Sequence, residues 1–366
     1  MSRVAVESLV KRYDGVAVVD GASFEVVPGE LTVLLGPSGA GKSTIARLLA
    51  GLERADEGEI YLDGRVINAV SPQDRKVGLV FQDDSLWPHL TVAGNVGFGL
   101  RVQKVPARDR RRRVGEALER ARIDTIADRR PDELTPLQRQ RAALARALVV
   151  EPALLVLDEP FGRLEGRGRD DFRDEVRRLV ADVPATVLLL TRDPREALAL
   201  ADRLAVLDLG RVVQVGAPAE VYDRPADAFV AQFLGPANLL QGHVEGLDPK
   251  GELVIRTPIG RLIGRGPDGT SPPPGGSPVT VAIRPEALAI GPTAAGADAN
   301  RFSATLERQE FLGEVRRLHL RGPGDWPVTA LALQGQTRSL REGQGVLVSV
   351  PPEHVLVLLA RRAGGP

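Results

Sequence analysis

Short apolar runs rich in β-branched residues recur along most of the chain, each bounded by turn residues. In the first part, Val4–Val10, Ala22–Val27, Leu31–Leu35, Gly58–Leu62, Val77–Phe81, Leu154–Leu157, Thr186–Leu190 and Leu204–Leu207 read as strands. Segments with apolar residues at helical spacing alternate with them. That alternation predicts an α/β domain with a largely parallel sheet over residues 1–235. Between Phe81 and Leu154 the helical pattern prevails, most clearly over Arg108–Arg122, which predicts a helical subdomain at about residues 84–152 inserted into the sheet domain. From Pro236 the runs shorten and alternate, as in Leu253–Ile255, Val279–Ile283, Val315–Leu320 and Val346–Val350. They predict a small all-β, OB-like barrel over residues 236–366. Arg265–Pro278 holds too many prolines for a ladder and is expected to be an exposed loop, with Ala360–Pro366 a frayed tail.

Composition narrows the classes. At 366 residues, with 43% hydrophobic and 26% charged positions, the chain is globular and long enough for two domains. Net charge is zero, which gives no bulk argument for nucleic acid or an anionic membrane. Arg110–Arg113 lies beside Glu116 and Glu119 and reads as a solvated helix face, with no neighbouring aromatics to stack on bases. No nucleic-acid partner is expected. Cysteine is absent, which excludes disulfides, thiolate metal sites and a cysteine nucleophile, and the four histidines show no metal-ligand spacing. The N-terminus lacks the apolar stretch of a signal peptide, and the apolar runs fall short of the ~20 residues that span a bilayer. A cytosolic protein is expected, with any membrane role exerted through partners.

Two segments carry chemistry. Gly36-Pro37-Ser38-Gly39-Ala40-Gly41-Lys42-Ser43-Thr44 fits G-x-x-x-x-G-K-[ST], the loop that wraps nucleotide phosphates. The strand-like Leu31–Leu35 precedes it and the helical Thr44–Gly51 follows, the geometry in which backbone N–H groups converge on an anion. Lysine is scarce, five of 48 basic residues, so its presence in this loop points to function. Lys42 is expected on the β- and γ-phosphates and the Ser43 hydroxyl on Mg²⁺. The second segment, Leu154–Pro160, is an apolar strand ending in two carboxylates. Asp158 at its tip suits Mg²⁺, and Glu159 is placed to polarise a water attacking the γ-phosphate.

On these residues the chain resembles the ATP-binding subunit of an ABC-type importer, in the branch serving polyamine, ferric-iron, sulfate and maltose-type sugar uptake. The resemblance covers nearly the whole chain, including Ala282-Ile-Arg-Pro-Glu286 in the β-rich third. It implies a phosphate-loop NTPase fold of the ABC type, bound ATP and Mg²⁺, and a dimer with a second nucleotide-binding subunit. It also implies permease subunits in the membrane, a solute-binding protein acting indirectly, and a peripheral position on the cytoplasmic face. The β-barrel is then regulatory. Tyr13 falls where the family stacks an aromatic on adenine, though a strand-edge tyrosine is the alternative. Gln82 matches the glutamine that contacts Mg²⁺ and the attacking water. Trp87 and Leu90 either line the groove for a permease helix or pack inside the helical subdomain. The shape of Ser85–Leu100 fits the iron or polyamine branch slightly better than sugars.

Three elements depart from the family pattern. The family's Leu-Ser-Gly-Gly-Gln, which caps the γ-phosphate held by the opposite subunit, is Leu134-Thr135-Pro136-Leu137-Gln138 here. As helix chemistry this is good: Thr135 suits the N-cap, Pro136 the first turn, and Gln138 closes a capping box. As an anion site it is poorer, because Pro136 has no N–H and Leu137 brings a branched side chain where glycine allows close approach. Each missing charge-assisted hydrogen bond forfeits roughly 1.5–3 kcal/mol. Arg192 stands where the family has histidine, always charged and unable to shuttle a proton. Gly162-Arg163-Leu164-Glu165 replaces Ser-Ala-Leu-Asp. The expectation is an importer ATPase with impaired turnover; the alternative is a regulatory or scaffold subunit that binds nucleotide with little hydrolysis.

Overall fold

In the computed structural model, which describes residues 2–182, 185–266, 271–291 and 300–359, the chain packs into two units, Met1–Ala219 and Glu220–Pro366. The first unit is built on a six-stranded sheet. Leu31–Leu35, Leu154–Asp158 and Thr186–Thr191 lie side by side in it, buried at every position, which explains their unbroken apolar runs. Val77–Val80 and Arg203–Asp208 flank them in parallel, and Arg211–Gly216 closes one edge antiparallel. The register pairs Leu35 with Thr191, Asp158 with Leu190 and Val80 with Leu157. Hence the phosphate loop, the carboxylate pair, Gln82 and Arg192 all leave the sheet at one end. Open α/β sheets bind ligands at the carboxyl ends of their strands.

The early strands form a sheet of their own. Val4–Tyr13, Val16–Val26, Glu57–Leu62 and Arg65–Val66 pair antiparallel, with buried and exposed residues alternating over much of their length. The first two are longer than expected because their hairpin end, Lys11–Ala17, is polar or exposed and shows no apolar alternation. The helical part gathers Val92–Val96, Phe98–Val102, Ala107–Arg120 and Pro136–Leu148 around Val96, Leu100, Leu118, Leu134 and Ala142. The arginine run on Ala107–Arg120 is only partly a solvated face. Arg112 pairs with Glu116 at 2.9 Å across one helical turn, but Arg113 reaches back to the Val149 carbonyl at 2.9 Å and to Glu151 at 2.8 Å.

The second unit contains two five-stranded antiparallel sheets over one core that includes Leu240, Ile255, Val281, Leu306, Leu318 and Val348. Two buried asparagines stitch the sheets together. Asn238 bonds the Thr329 backbone at both N–H and C=O, and Asn300 does the same to Ile263. This is the all-β, OB-like domain the alternation predicts. Its first strand is Asn238–Leu247, while the compact unit that holds it starts at Glu220. Arg284 of the Ile-Arg-Pro-Glu motif explains why: its buried guanidinium stacks on Tyr222 and donates to the carbonyls of Ala231, Gly235 and Pro236, holding residues 222–236 against the barrel. Pro272 and Pro274–Gly276 are exposed, as expected of that loop, while residues 267–270 and the tail 360–366 lie outside the described residues.

Candidate functional site

The loop after Leu31–Leu35 is shaped by what it cannot carry. Gly41 has φ +102, and a Cβ there would sit 2.6 Å from the Val18 carbonyl oxygen; one on Gly36 would sit 2.6 Å from that of Leu207. The helix Lys42–Ala50 follows with Gly41 at its N-cap and no side-chain cap, so its first N–H groups face the loop uncovered. Lys42 is buried and curls over the loop, donating to the Gly36 carbonyl at 2.8 Å and the Pro37 carbonyl at 3.1 Å. Burial pulls its ammonium below the ordinary lysine value, with Glu159 and Asp158 opposing that pull. At the other end of the helix, buried Arg75 donates to the Leu48 and Leu49 carbonyls at 2.7 and 3.1 Å, a cation at the negative end of the helix dipole.

The two carboxylates differ in setting. Asp158 is buried, and burial pushes its carboxyl above the usual range against a hydrogen bond from Ser43. Its Oδ1 has no hydrogen-bond partner, a costly arrangement unless a ligand completes it. Glu159 has φ +46, a left-handed backbone that costs a non-glycine residue energy. That turn aims its side chain back at the loop. Oε1 lies 3.6 Å from Lys42 Nζ, while Oε2 accepts from Gln82 Nε2 at 3.3 Å and lies 3.6 Å from Arg192 Nε. Arg192 is itself 3.5 Å from the Ser38 hydroxyl. Ser38, Lys42, Ser43, Gln82, Glu159 and Arg192 thus line one cleft of about 280 Å³, with Gly39, Gly41 and Thr44. Ser43 hydroxyl, Gln82 amide oxygen and Asp158 carboxylate are hard oxygen donors, and with the unpartnered Asp158 oxygen they suit a small hard divalent cation.

The remaining candidates do not line that cleft, although Tyr13 adjoins it through a side-chain hydrogen bond with Thr44. Tyr13 is partly exposed on its strand and donates its hydroxyl to Glu53. Thr135 and Gln138 do not line the cleft. Thr135 Oγ1 accepts from Gln138 N–H at 3.3 Å and Gln138 Oε1 from Thr135 N–H at 3.0 Å, the reciprocal capping box, with Pro136 in the first turn. Trp87 packs on Phe98, ring centres 4.1 Å apart, with the Arg146 guanidinium 4.9 Å from its ring, which is the packing alternative for this side chain. Sequence reasoning missed Arg169, which grips Glu196 at 2.6 Å and Asp193 at 2.7 Å. Glu196 in turn accepts from Thr191 Oγ1 at 2.6 Å, so this cluster braces the strand end that presents Arg192. No local spacing announces a bond between positions 169 and 196.

A parallel sheet whose carboxyl end carries a glycine loop, a buried aspartate and a glutamate defines a phosphate-loop nucleotide-binding protein. The ABC transporter family model matches residues 19–162 and the TOBE domain model residues 281–358. The spermidine/putrescine import ATP-binding protein PotA of Rubrobacter xylanophilus is 40% identical over 361 residues, 98% of this chain and 94% of that protein. The sn-glycerol-3-phosphate import ATP-binding protein UgpC of Paraburkholderia xenovorans is 37% identical over 367 residues, 97% of each. Among solved structures, the dimeric post-hydrolysis state of the ATP-binding cassette MJ0796 bound to ADP and Pi is similar, with a TM-score of 0.54 and 27% identity. It covers 59% of this chain and 98% of its own. The chain belongs to the ATP-binding subunits of ABC importers, and is an ABC-type transport ATPase with a C-terminal TOBE domain.

Proposed function

We propose that this subunit binds ATP with Mg²⁺ in the cleft around Lys42 and hydrolyses it slowly while driving a pair of permease subunits. The observation that carries the reading is the position of Glu159, 3.3 Å from Gln82 and 3.6 Å from Lys42 on the rim of the phosphate loop. The N–H groups of Gly39–Thr44 and the Lys42 ammonium hold the phosphates, and Tyr13 meets the adenine. Ser43, Gln82 and Asp158 hold Mg²⁺, which neutralises phosphate charge when bound. Glu159 orients and deprotonates the attacking water, with Gln82 fixing its carboxylate. Arg192 contacts the γ-phosphate. Thr135–Gln138 faces the nucleotide of a second nucleotide-binding subunit, as an assembly like that of the dimeric MJ0796 cassette would allow. The protein then works at the cytoplasmic face of the membrane, and a solute-binding protein acts through the permeases. Among the described residues no helix is long and apolar enough to cross a membrane. The relatives are named for import of spermidine/putrescine, sulfate/thiosulfate and sn-glycerol-3-phosphate.

Slow turnover follows from two contacts. Arg192 lies 3.6 Å from the Glu159 carboxylate, and its guanidinium must exchange that carboxylate for phosphate. Thr135 and Gln138 spend their side-chain hydrogen bonds on their own helix. The test is steady-state ATPase activity with and without permeases, together with Glu159→Gln. We expect a low rate in the native protein, a further loss of about 100-fold or more in kcat for the variant, and retained ATP binding. Activity indifferent to Glu159→Gln would remove the hydrolytic assignment; a stable ATP-bound dimer with no turnover would support the regulatory-subunit reading instead.

A further inference from the structure

Arg163, one of the departures from the family pattern, has a partner that no motif assigns. Its Nη1 lies 3.7 Å from Asp84 Oδ2, joining the segment after Glu159 to the segment after Gln82. The Asp84 side chain is only 5% exposed, and its Oδ1 has no hydrogen-bond partner. A buried carboxylate is costly unless charge compensates it, and Arg163, Arg139 and Arg146 all bear on this one. Arg139 and Arg146 belong to the helix Pro136–Leu148. Arg146 also grips the backbone beside the carboxylate, donating to the Asp84 carbonyl at 2.9 Å and the Ser85 carbonyl at 2.6 Å. The gripped residues are held in left-handed backbone, φ +63 at Asp84 and +44 at Ser85. Strain of this kind persists only where surrounding contacts over-determine it.

We propose that Asp84 and Arg163 are positioning residues, a second tie that fixes the segment carrying Gln82 against the segment carrying Glu159. The first tie is the Gln82–Glu159 hydrogen bond at the cleft, and Gly162 lies between the two. Beyond the Val80–Leu157 pair of the sheet, the 3.3 Å Gln82–Glu159 hydrogen bond constrains the two segments at one point. A second contact adds a second constraint and sets the direction in which Glu159 presents its carboxylate. Because Arg146 grips the same residue from the helix that begins after Thr135, the tie also hands movement of that helix to the hydrolytic residues. The departure at position 163 is therefore matched within this chain rather than being an isolated loss.

The proposal rests on the assignment of Gln82 and Glu159 to hydrolysis, and the experiment separates the two. Arg163→Ala places the family's own residue at a half-exposed position, and circular dichroism checks that the variant is folded. It is measured beside Asp84→Asn, their double variant and Arg163→Lys, all in a Trp326→Phe background, which leaves Trp87 as the sole tryptophan. The readouts are kcat, KM for ATP·Mg²⁺, and Trp87 emission. We expect each single loss to lower kcat about threefold or more with KM little changed, the double variant to be no worse than either, and Arg163→Lys to recover most of the rate. Unchanged kcat in Arg163→Ala, or losses that multiply in the double variant, would overturn the tie. A native protein without turnover would defeat the hydrolytic assignment instead, and Trp87 would then decide. A common emission shift in Arg163→Ala and Asp84→Asn upholds the tie, and unshifted emission in Arg163→Ala removes it.

Discussion

Two helix N-termini in the first unit face opposite fates. Lys42–Ala50 starts at a left-handed glycine with no side-chain cap, and Pro136–Leu148 starts at Thr135 with a complete capping box and proline in the first turn. Every helix begins with N–H groups that need partners. In the first they are left for a ligand, and Lys42 adds charge beside them. In the second, Thr135 and Gln138 answer each other, proline removes one donor, and Leu137 carries a branched side chain where glycine would leave room. The first arrangement costs stability until an anion arrives. The second gains stability at once and has less to offer an anion. On the proposed function, one sequence would thus hold a strong receiving site and a weak lending one, and binding and turnover would separate for that reason.

Closing the open end is the largest perturbation expected. Gly41→Ala forces a Cβ to within 2.6 Å of the Val18 carbonyl at a φ of +102. We expect ATP affinity to fall by about 100-fold or more, measured by calorimetric titration, while circular dichroism reports a folded protein. Unchanged affinity would show that the uncapped helix end is not the phosphate site.

Opening the closed end is the converse. Thr135→Ser, Pro136→Gly and Leu137→Gly together restore the donors and the close approach. The helix loses about 1 kcal/mol for each glycine relative to a good helix former. We expect kcat to rise about tenfold despite the lower stability, because recovered charge-assisted bonds act on the bound nucleotide. A rate that does not move would place the limitation elsewhere, and Arg192 is the next candidate. Arg192→His releases Glu159 from its neighbour at 3.6 Å, for an expected rise in kcat of about threefold to fivefold. It also introduces a charge lost above a pH of about 6.5. KM for ATP should then increase as pH rises through that value, where the arginine protein stays flat.

How much of this could be read from the chain depends on the distance over which each feature is decided. The phosphate loop and the capping box are legible because their partners lie within a few residues. The buried strands are legible because a parallel sheet covered on both faces demands continuous apolar runs. The pairing of Leu35 with Thr191 and Val80 with Leu157, which brings the site together, comes from sheet order and leaves no local trace. The same holds for arginines, whose reach lets one side chain serve distant carbonyls. Arg75 at Leu48, Arg113 at Val149, Arg163 at Asp84 and Arg284 at Ala231 all look like surface charge in the sequence. In a chain with so few lysines, arginine identity alone cannot mark which of them are structural.

The smallest expected effect tests the capping box itself. Thr135→Ala removes the oxygen that accepts from Gln138 N–H at 3.3 Å, while the backbone N–H of residue 135 still donates to Gln138 Oε1. The bond is long and the site exposed, which sets the loss near the low end for an N-cap, about 0.5 kcal/mol. Pro136 keeps the first turn pre-organised, so the helix should fray at its start rather than unwind. The check is the unfolding midpoint in urea, lowered without a change in slope. If Thr135 instead served chiefly as a phosphate contact, the variant would unfold like the native protein and lose ATP turnover. That outcome would reverse the comparison, making the second N-terminus a ligand site that only resembles a closed one.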